Sequence, residues 1–326
     1  MNLFIFNLMI YLMVSFSPFQ KEEVPGFEIT ILEHRYFKDL SSLSAIGMYS
    51  DNIYAAGDDI PWLIQLDPGW NIKNKIKIAG KDSLVNGRTP SAVKADYECM
   101  EIFNYKATDY LLILSSGSKK ITRDTAVLIT LPGKQKVLKK NIRPLYEKIK
   151  RAAGFDKKEE INIEGLAVAG EKTFLFHRGN ISGNFIVTMN TAEFIQYLKS
   201  NDNVSPDIEI TRFRLPEYHG VQSGFSGACA LPDHSGLLFT ASMEDTKSVT
   251  ADGEVTGSYI GFIPFSGLAE GRFSAKIVTD GENLLKKKME AVTIKEKKHN
   301  NFVLFVVSDN DDGSSDGYRI GLKFNR

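Results

Sequence analysis

The chain has 326 residues, of which 43% are hydrophobic and 25% are charged, and its 40 basic residues balance its 40 acidic residues. A protein with no excess of basic residues is not expected to bind nucleic acid or an anionic membrane surface. The length allows one large domain or two ordinary ones, and two cysteines are too few for a disulfide framework.

The first predicted element is a targeting segment at residues 1–22. An apolar run extends from Leu3 to about Phe16 and meets polar residues from Gln20 onward. It is shorter than the roughly 20 residues of a membrane-spanning helix, and its length is typical of a secretory signal peptide. The sequence therefore predicts a periplasmic or secreted protein with no stable membrane span, whose mature domain is residues 23–326. An uncleaved anchor and a buried N-terminal element are the alternatives.

After an isolated strand at 27–37, the chain repeats one pattern five times. Each unit opens with an apolar residue, then Glu or Ser, then a small residue and an apolar run. The five openings are LSAIGM (43–48), YECMEI (97–102), IEGLAV (163–168), FSGACA (225–230) and MEAVTI (289–294). A supersecondary unit that recurs at a regular spacing indicates a repeat architecture.

Further strands follow each opening. A second and a third apolar strand come next in all five units, and a fourth, more polar strand ends the first four. Residues rich in β-branched and aromatic side chains, bounded by Gly, Asn, Asp or Ser, predict strands joined by hairpins. The fifth unit reaches Arg326 without a fourth strand, and FEITILEHRYF (27–37) is left over at the other end.

This arrangement predicts an all-β fold, a five-bladed β-propeller in which the N-terminal strand completes the last blade. A six-bladed propeller is the alternative, if a divergent blade lies in a long connection. The stretches 142–154 and 191–200 have apolar residues at helical spacing and predict short helical insertions on the outside of the blades.

The propeller geometry predicts where the polar side chains meet. The first strand of each blade lines the channel and the second runs antiparallel to it, so the start of one and the end of the other share a face, here called the top face. The strand starts bring Ser44, Glu98, Glu164, Ser226 and Glu290 there. The strand ends and loops add Asp58, Asp59, Asp96, Lys119, His177, Arg178, Asn180, Glu244, Asp309 and Asp311.

Three glutamates near one axis repel each other unless a cation or a basic side chain compensates their charge. Clustered carboxylates in a cleft indicate a candidate functional site, so we take Glu98, Glu164 and Glu290 as the candidate catalytic residues. Satisfying backbone N–H groups at the strand starts is the alternative role for these glutamates. His177 and Arg178 either bind an anion or form salt bridges to the glutamates.

The run SDNDDGSSDG (308–317) is not an EF-hand, because Arg319 stands where the twelfth position requires a bidentate Glu. It is either a solvated hairpin turn or part of a cation site in which Asp309 or Asp311 meets Glu290. Cys99 and Cys229 lie on non-adjacent inner strands, too far apart for a disulfide, and are predicted to be free, buried thiols.

The strand starts E-G-L (164–166) and M-E-A (289–291), the exported N-terminus and the channel-mouth carboxylates resemble the phytase-like propellers, also described as esterase-like. SdiA-regulated and gluconolactonase-type propellers share this look. The resemblance implies that glutamates at strand starts ligate a divalent cation, Ca²⁺ or another, and the matching positions are Glu98, Glu164, Glu290 and Asp309. Those relatives usually have six blades, and Ser44 and Ser226 interrupt the acidic ring here.

Two functions are therefore expected. In the first, Glu98, Glu164, Glu290 and Asp309 hold a divalent cation that polarises a phosphoester, ester or lactone oxygen and activates water. A small anionic or sugar-like ligand would then be bound by the set His177, Arg178, Asn180, Lys119 and Glu244. In the second, a non-catalytic ring binds a glycan or a protein on its top face. Either protein is expected to be a monomer.

Overall fold

The computed structural model describes residues 23–78, 84–132, 136–156, 158–179, 182–202, 204–246 and 253–325. The predicted leader at 1–22 lies outside these residues. The chain begins with β1 (Phe27–Phe37) and continues through blade one, which contains β2 (Leu43–Tyr49), β3 (Asn52–Gly57), β4 (Trp62–Leu66) and β5 (Ile72–Lys77). Blade two contains β6 (Tyr97–Tyr105), β7 (Thr108–Ser115), β8 (Thr125–Leu131) and β9 (Val137–Asn141).

Two helices flank blade three. Helix α1 (Arg143–Ala153) precedes β10 (Ile163–Ala169), β11 (Lys172–His177) and β12 (Asn184–Asn190), and α2 (Thr191–Lys199) precedes β13 (Glu209–Phe213). Blade four contains β14 (Glu217–Tyr218), β15 (Val221–Ala230), β16 (Gly236–Asp245), β17 (Glu254–Pro264) and, after the short helix α3 (Phe265–Leu268), β18 (Ser274–Ile277). A small hairpin of β19 (Thr279–Asp280) and β20 (Asn283–Leu284) leads to β21 (Lys288–Lys298), β22 (Asn301–Asp309) and β23 (Ser315–Phe324).

The fold is the predicted five-bladed β-propeller. The first two blades have the orders β2-β3-β4-β5 and β6-β7-β8-β9, the third has β10-β11-β12-β13, and the fourth has β14 to β18 in sequence order. The fifth blade has the order β1-β23-β22-β21, so its outermost strand comes from the N-terminal end of the described chain. β1 pairs antiparallel with β23 from Phe27 opposite Phe324 to Phe37 opposite Ser315. The expected closure is confirmed.

The ring is closed by contacts between inner strands and by one apolar core at each blade interface. β2, β6, β10, β15 and β21 contact each other in this order and return to β2. Five separate buried clusters fill the interfaces, with members such as Leu111 between blades one and two, Phe185 between two and three, Phe239 between three and four, Val306 between four and five, and Phe305 between five and one. Five interfaces around one ring leave no place for a sixth blade among the described residues.

The two longer helices occupy the predicted stretches. Helix α2 is capped by the Asn190 side chain, which accepts hydrogen bonds from the N–H groups of Ala192 and Glu193. Helix α1 ends at Gly154, whose φ of 76° is the left-handed conformation that glycine adopts without strain. Both helices bury one face in the core between blades two and three. They therefore belong to that core and are more than external decorations.

Each innermost strand has a β-bulge at the same place. The pairing with the second strand slips by one residue at Ser44, Glu98, Glu164, Ser226 and Glu290. A bulged residue is left out of the ladder, and its side chain can be turned away from the two faces of the sheet. The repeated Glu or Ser of the sequence is therefore the bulge residue of every blade.

Two further expectations concern the thiols and membrane insertion. Cys99 and Cys229 are free and buried, as predicted. In the described part of the chain, no helix has the length and apolar character needed to cross a membrane.

Candidate functional site

A cavity of about 480 Å³ lies at the mouth of the channel on the top face. Its lining is dominated by charge. In the described part of the chain nine carboxylates face it, from Asp58, Asp59, Asp96, Glu98, Glu164, Glu244, Glu290, Asp309 and Asp311. Five basic side chains of the same described residues accompany them, from Arg88, Lys94, Arg123, Arg178 and Lys288, so the formal charge of this part of the lining is four negative.

Three of these carboxylates converge and are here called the acidic triad: Asp58, Asp96 and Glu98. One oxygen from each lies within 4.8 Å of the other two. Asp58 follows β3, Asp96 precedes β6, and Glu98 is the bulge residue of β6. Blades one and two therefore supply the triad together.

Basic side chains hold two members of the triad. Lys94 Nζ lies 2.9 Å from Asp96 Oδ1 and also donates to Asp58 Oδ2, and Arg123 Nη1 donates to Asp96 Oδ2 at 3.0 Å. The other oxygen of Asp58, Oδ1, is buried and has no hydrogen-bond partner within the described ranges. Glu98 has no hydrogen bond or ion pair to a described residue and faces the cavity. The triad thus keeps unused oxygen ligands.

The pKa values around the triad show that its negative charge is only partly compensated. Burial raises the pKa of Asp58 to about 6, with Lys94 opposing and Asp59 adding to the shift. Burial and the Asp58 charge raise the pKa of the neighbouring Asp309 to about 7. Burial, Asp96 and Asp58 raise the pKa of Glu98 well above its ordinary value. A cation bound here would relieve this repulsion.

The opposite wall of the cavity carries five side chains of alternating charge, here called the charge row: Glu164, Arg178, Glu244, Lys288 and Glu290. Arg178 Nη1 donates to Glu164 Oε2 at 2.9 Å, and its Nη2 donates to Glu244 Oε2 at 2.7 Å. Lys288 Nζ lies 3.0 Å from Glu290 Oε1 and 3.6 Å from Glu244 Oε2. Blades three, four and five contribute to one continuous row.

Neighbouring groups fix the ends of the charge row and set its protonation. Asn162 Nδ2 donates to Glu164 Oε1 at 2.6 Å, and the Gly253 N–H donates to Glu244 Oε1 at 2.8 Å. Burial raises the pKa of Glu290 to about 8, against the opposing charge of Lys288. Glu290 therefore holds a proton for much of the time at neutral pH.

His177 is fully buried and does not face the cavity. Its Nδ1 accepts a hydrogen bond from the Asn162 N–H at 3.0 Å, its Nε2 lies 3.0 Å from Ser182 Oγ, and its ring stacks on Phe185 with centroids 4.3 Å apart. Burial lowers the pKa of His177 to about 3. The neutral ring thus holds the loop before β10, and through Asn162 it helps to position Glu164.

The structure brings most of the predicted site residues together, in a different grouping. Glu98 lies with Asp58 and Asp96, whereas Glu164 and Glu290 lie in the charge row with basic partners. Glu244, Asp309 and Arg178 line the cavity, with Arg178 in the alternative role of a salt-bridge partner. Lys119 is exposed outside the cavity, and Asn180 lies outside the described residues.

The SDNDDGSSDG run is a turn whose base lines the cavity, while its role in a cation site stays a prediction. It forms the turn between β22 and β23, in which Asp312 Oδ1 accepts a hydrogen bond from the Ser314 N–H at 2.9 Å. Asp309 and Asp311 line the cavity, and the Asp311 N–H donates to Asp309 Oδ1 at 3.0 Å. The turn is therefore solvated at its tip and faces the site at its base.

Sequence reasoning considered Arg178 as a salt-bridge partner but missed Arg88, Lys94, Arg123 and Lys288. Lys94 and Arg88 lie in the connection between blades one and two, which has no counterpart in the repeat. Lys288 had a usable signal, since it lies two residues before the repeated Glu290.

Comparisons with known proteins find a match to one family and a similarity in fold to solved structures. The model of a family of unknown function, DUF6929, matches residues 39–322. The comparison with curated proteins finds no match. Among solved structures, the chain is similar to the PQQ-bound form of aldose sugar dehydrogenase from Streptomyces coelicolor, with 10% identity and a TM-score of 0.47 over 93% of this chain and 100% of that one.

Two further structures are similar at the same level. The GH43 endo-arabinanase from Bacillus licheniformis has 10% identity and a TM-score of 0.41, over 88% of this chain and 94% of that one. The glutaminyl cyclase from Myxococcus xanthus has 10% identity and a TM-score of 0.44, over 94% of this chain and 100% of that one. These values describe similar chain paths and imply no shared activity.

Proposed function

From the site of this chain, which belongs to the family of unknown function DUF6929, we propose that it binds a divalent cation at the acidic triad and a small polar ligand beside it. One observation carries the proposal. Three carboxylate oxygens lie within 4.8 Å of one another at a cavity, and Asp58, which supplies one of them, has a buried Oδ1 with no hydrogen-bond partner among the described residues. A buried carboxylate oxygen without a partner is costly, and a bound cation removes that cost.

The donor set favours a hard cation. Carboxylate oxygens suit Ca²⁺, Mg²⁺ and Mn²⁺, whereas Zn²⁺ favours sites with nitrogen or sulfur ligands. Asp309, on the neighbouring blade, is a further oxygen donor at the same cavity. The Lys94 ammonium contacts Asp58 and Asp96, so it occupies part of the space of the cation and must swing away on its flexible stem when the cation binds.

Such a site supports hydrolysis of an ester, a lactone or a phosphoester. The cation would polarise the ligand oxygen and lower the pKa of a bound water. Glu290, with its pKa raised to about 8, can donate a proton to a leaving group at neutral pH. The acidic triad would then support attack by the bound water, and the charge row on the opposite wall would support departure of the leaving group.

A second function, non-catalytic binding of a glycan or a protein, is favoured by apolar side chains at the rim. Val85 lines the cavity and is 61% exposed, and Ile121, two residues from Arg123, is 87% exposed. Exposed apolar side chains beside a polar site are typical of contact surfaces. Export to the periplasm or the medium, and a monomeric state, remain predictions from the sequence.

Thermal unfolding in chelator and then with Ca²⁺, Mg²⁺, Mn²⁺ or Zn²⁺ tests the cation site. A cation at 100 times its dissociation constant adds about 2.7 kcal/mol to the free energy of unfolding, so the midpoint should rise clearly with one of the hard cations. Glu98→Gln and Asp58→Asn should abolish the rise. Asp312→Asn is the matched control, because this carboxylate is in the solvated turn and should leave the rise unchanged.

The outcome decides between the two functions. A rise that Glu98→Gln abolishes would justify a screen of phosphoester, ester and lactone substrates. In that screen, Glu290→Gln is expected to slow turnover without weakening the binding of the cation. If no cation shifts the midpoint, the cation proposal is wrong and the binding function becomes the better candidate.

A further inference from the structure

We infer that the charge row binds a neutral polyhydroxy ligand, such as a monosaccharide or a sugar alcohol, rather than an anion. The inference rests on the proposed function in one respect, since it assigns the ligand that the same cavity takes. The basic side chains of the cavity are paired with carboxylates, and the sequence alone did not reveal most of these pairs.

Every basic side chain that lines the cavity already has a carboxylate partner. Arg178 and Lys288 are paired within the charge row. Arg88 pairs with Asp59, Lys94 with Asp58 and Asp96, and Arg123 with Asp96, which completes the list of the five lining cations. Among the described residues, eight carboxylates still face these five cations when Glu290 is protonated, so the cavity attracts positive charge and repels negative charge.

An anionic ligand would have to take Arg178 away from its partners, or bind Lys288 directly beside the carboxylates of Glu244 and Glu290. The side chain of Arg178 is only 4% exposed, as is that of Glu244, so a displaced carboxylate would remain buried without a counter-charge. Leaving one member of a buried pair unpaired is strongly unfavourable. An anion therefore gains one contact at the loss of another and adds to the surplus of negative charge.

A hydroxyl group meets no such obstacle. It donates one hydrogen bond and accepts others, so it can bind between a carboxylate and an ammonium without separating them. Within the described residues Lys288 Nζ lies close to one carboxylate oxygen, Glu290 Oε1 at 3.0 Å, although an ammonium has three protons. Glu290 Oε2 is a second available acceptor on the same wall. Adjacent hydroxyls of a polyol match this alternation of donors and acceptors.

The rest of the lining fits a ligand with many hydroxyls and little apolar surface. Val85 and Pro90 are its only apolar members among the described residues, and no aromatic ring lines the cavity there. A volume of about 480 Å³ suits a small ligand. The cavity thus selects its ligand by the arrangement of hydroxyl groups and not by apolar contacts.

Calorimetric titration of the full chain in chelator, with matched pairs of probes, tests the inference. The pairs are glucose and gluconate, mannitol and mannitol phosphate, and myo-inositol and inositol monophosphate. We expect at least one neutral probe to bind, and to bind at least tenfold more tightly than its anionic counterpart. Chelator removes the cation, so an anion cannot bind through a metal ion.

Two variants that conserve net charge locate the ligand. Lys288→Met combined with Glu290→Gln removes one pair of the charge row, and we expect it to weaken the neutral probe at least tenfold. Lys297→Met combined with Asp233→Asn removes a more exposed pair between β21 and the loop after β15, at the opposite end of β21 from Lys288, and should leave binding unchanged.

Results that contradict this inference can be distinguished from results that contradict the cation site. The inference is overturned if each anionic probe binds as tightly as its neutral counterpart, if no neutral probe binds, or if the Lys288→Met, Glu290→Gln double variant binds normally. If a neutral probe binds but no cation raises the unfolding midpoint, the inference is supported and only the cation site is refuted.

Discussion

At the scale of single residues, the bulge position of the inner strands has two roles. In blades one and four it is a serine that bonds to the next blade: Ser44 Oγ donates to the Tyr97 carbonyl at 2.5 Å, and Ser226 Oγ donates to the Met289 carbonyl at 2.5 Å. Each acceptor directly precedes a bulge glutamate. In the other three blades the longer glutamate reaches the cavity, so the serines act as links between blades that hold the positions of Glu98 and Glu290.

His177 is a second residue whose role is positional, and its burial makes stability depend on pH. Its pKa is about 3 in the folded protein and 6.5 in an exposed state, so between these values the unfolded chain binds the extra proton. Stability is therefore lost as the pH falls from 6.5 towards 3, by about 1.4 kcal/mol for each pH unit from this group.

Urea unfolding of the protein and of His177→Asn at pH 7, 5.5 and 4 measures this contribution. We expect the substitution to destabilise the protein at pH 7, because the stacking on Phe185 is lost, and its cost to shrink steadily as the pH falls. His299→Asn is the control for removal of an imidazole, since His299 is exposed in a turn and its substitution should cost little. A constant cost of His177→Asn would show that folding does not shift the pKa of His177.

At the scale of elements, the small residue after each bulge allows the inner strands to approach one another. A Cβ added at Gly227 would lie 2.6 Å from the Glu290 carbonyl oxygen and 2.7 Å from Ala291 Cα, both on β21. These are backbone atoms that cannot rotate away. Gly227 is therefore required for the packing of β15 against the strand that carries Glu290.

We expect Gly227→Ala to push β15 and β21 apart, to lower the free energy of unfolding by about 1–3 kcal/mol, and to impair the site through Glu290. Chemical denaturation, together with titration of the probes described above, measures both effects. Gly69→Ala is the control, because its added Cβ would meet only side-chain atoms at 3.3 Å or more on an exposed turn. Equal stability of the two variants would show that β15 can shift without loss.

At the scale of the whole molecule, stability depends on closure of the ring. β1 pairs with the whole length of β23, and Phe27 is buried in the core between blades four and five, so the ends of the described chain complete one sheet. Without β1, the backbone groups of β23 would form an exposed sheet edge and that core would open to water. Closure also sets the distances across the cavity, to which all five blades contribute.

Removal of residues 23–38 should therefore destroy cooperative unfolding and favour aggregation. A circular permutant that begins at Asp39 and carries residues 24–38 after Arg326 is the control. In it β23 and β1 become neighbours in sequence, with Phe324 and Phe27 already paired, and the sheet is unchanged. We expect the permutant to unfold cooperatively near the temperature of the intact chain. A truncated chain that unfolds in the same way would contradict the role of closure.

The sequence by itself determined the five units, their strands, the closing strand 27–37 and the two helical insertions. It also placed Glu98, Glu164 and Glu290 at one face. These features follow from local patterns, because strand alternation, turn residues and the spacing of the repeat depend on neighbours along the chain.

Only the tertiary structure decided which of these residues act together. Glu98 joins Asp58 and Asp96 because blades one and two meet there, while Glu164 and Glu290 are joined through Arg178, Glu244 and Lys288 across three blades. Lys94 reaches Asp96 from the connection between blades one and two, and Arg123 reaches it from the loop between β7 and β8. Ion pairs between residues far apart in sequence are set by the closed ring, since charge attracts through space and leaves no periodic pattern along the chain.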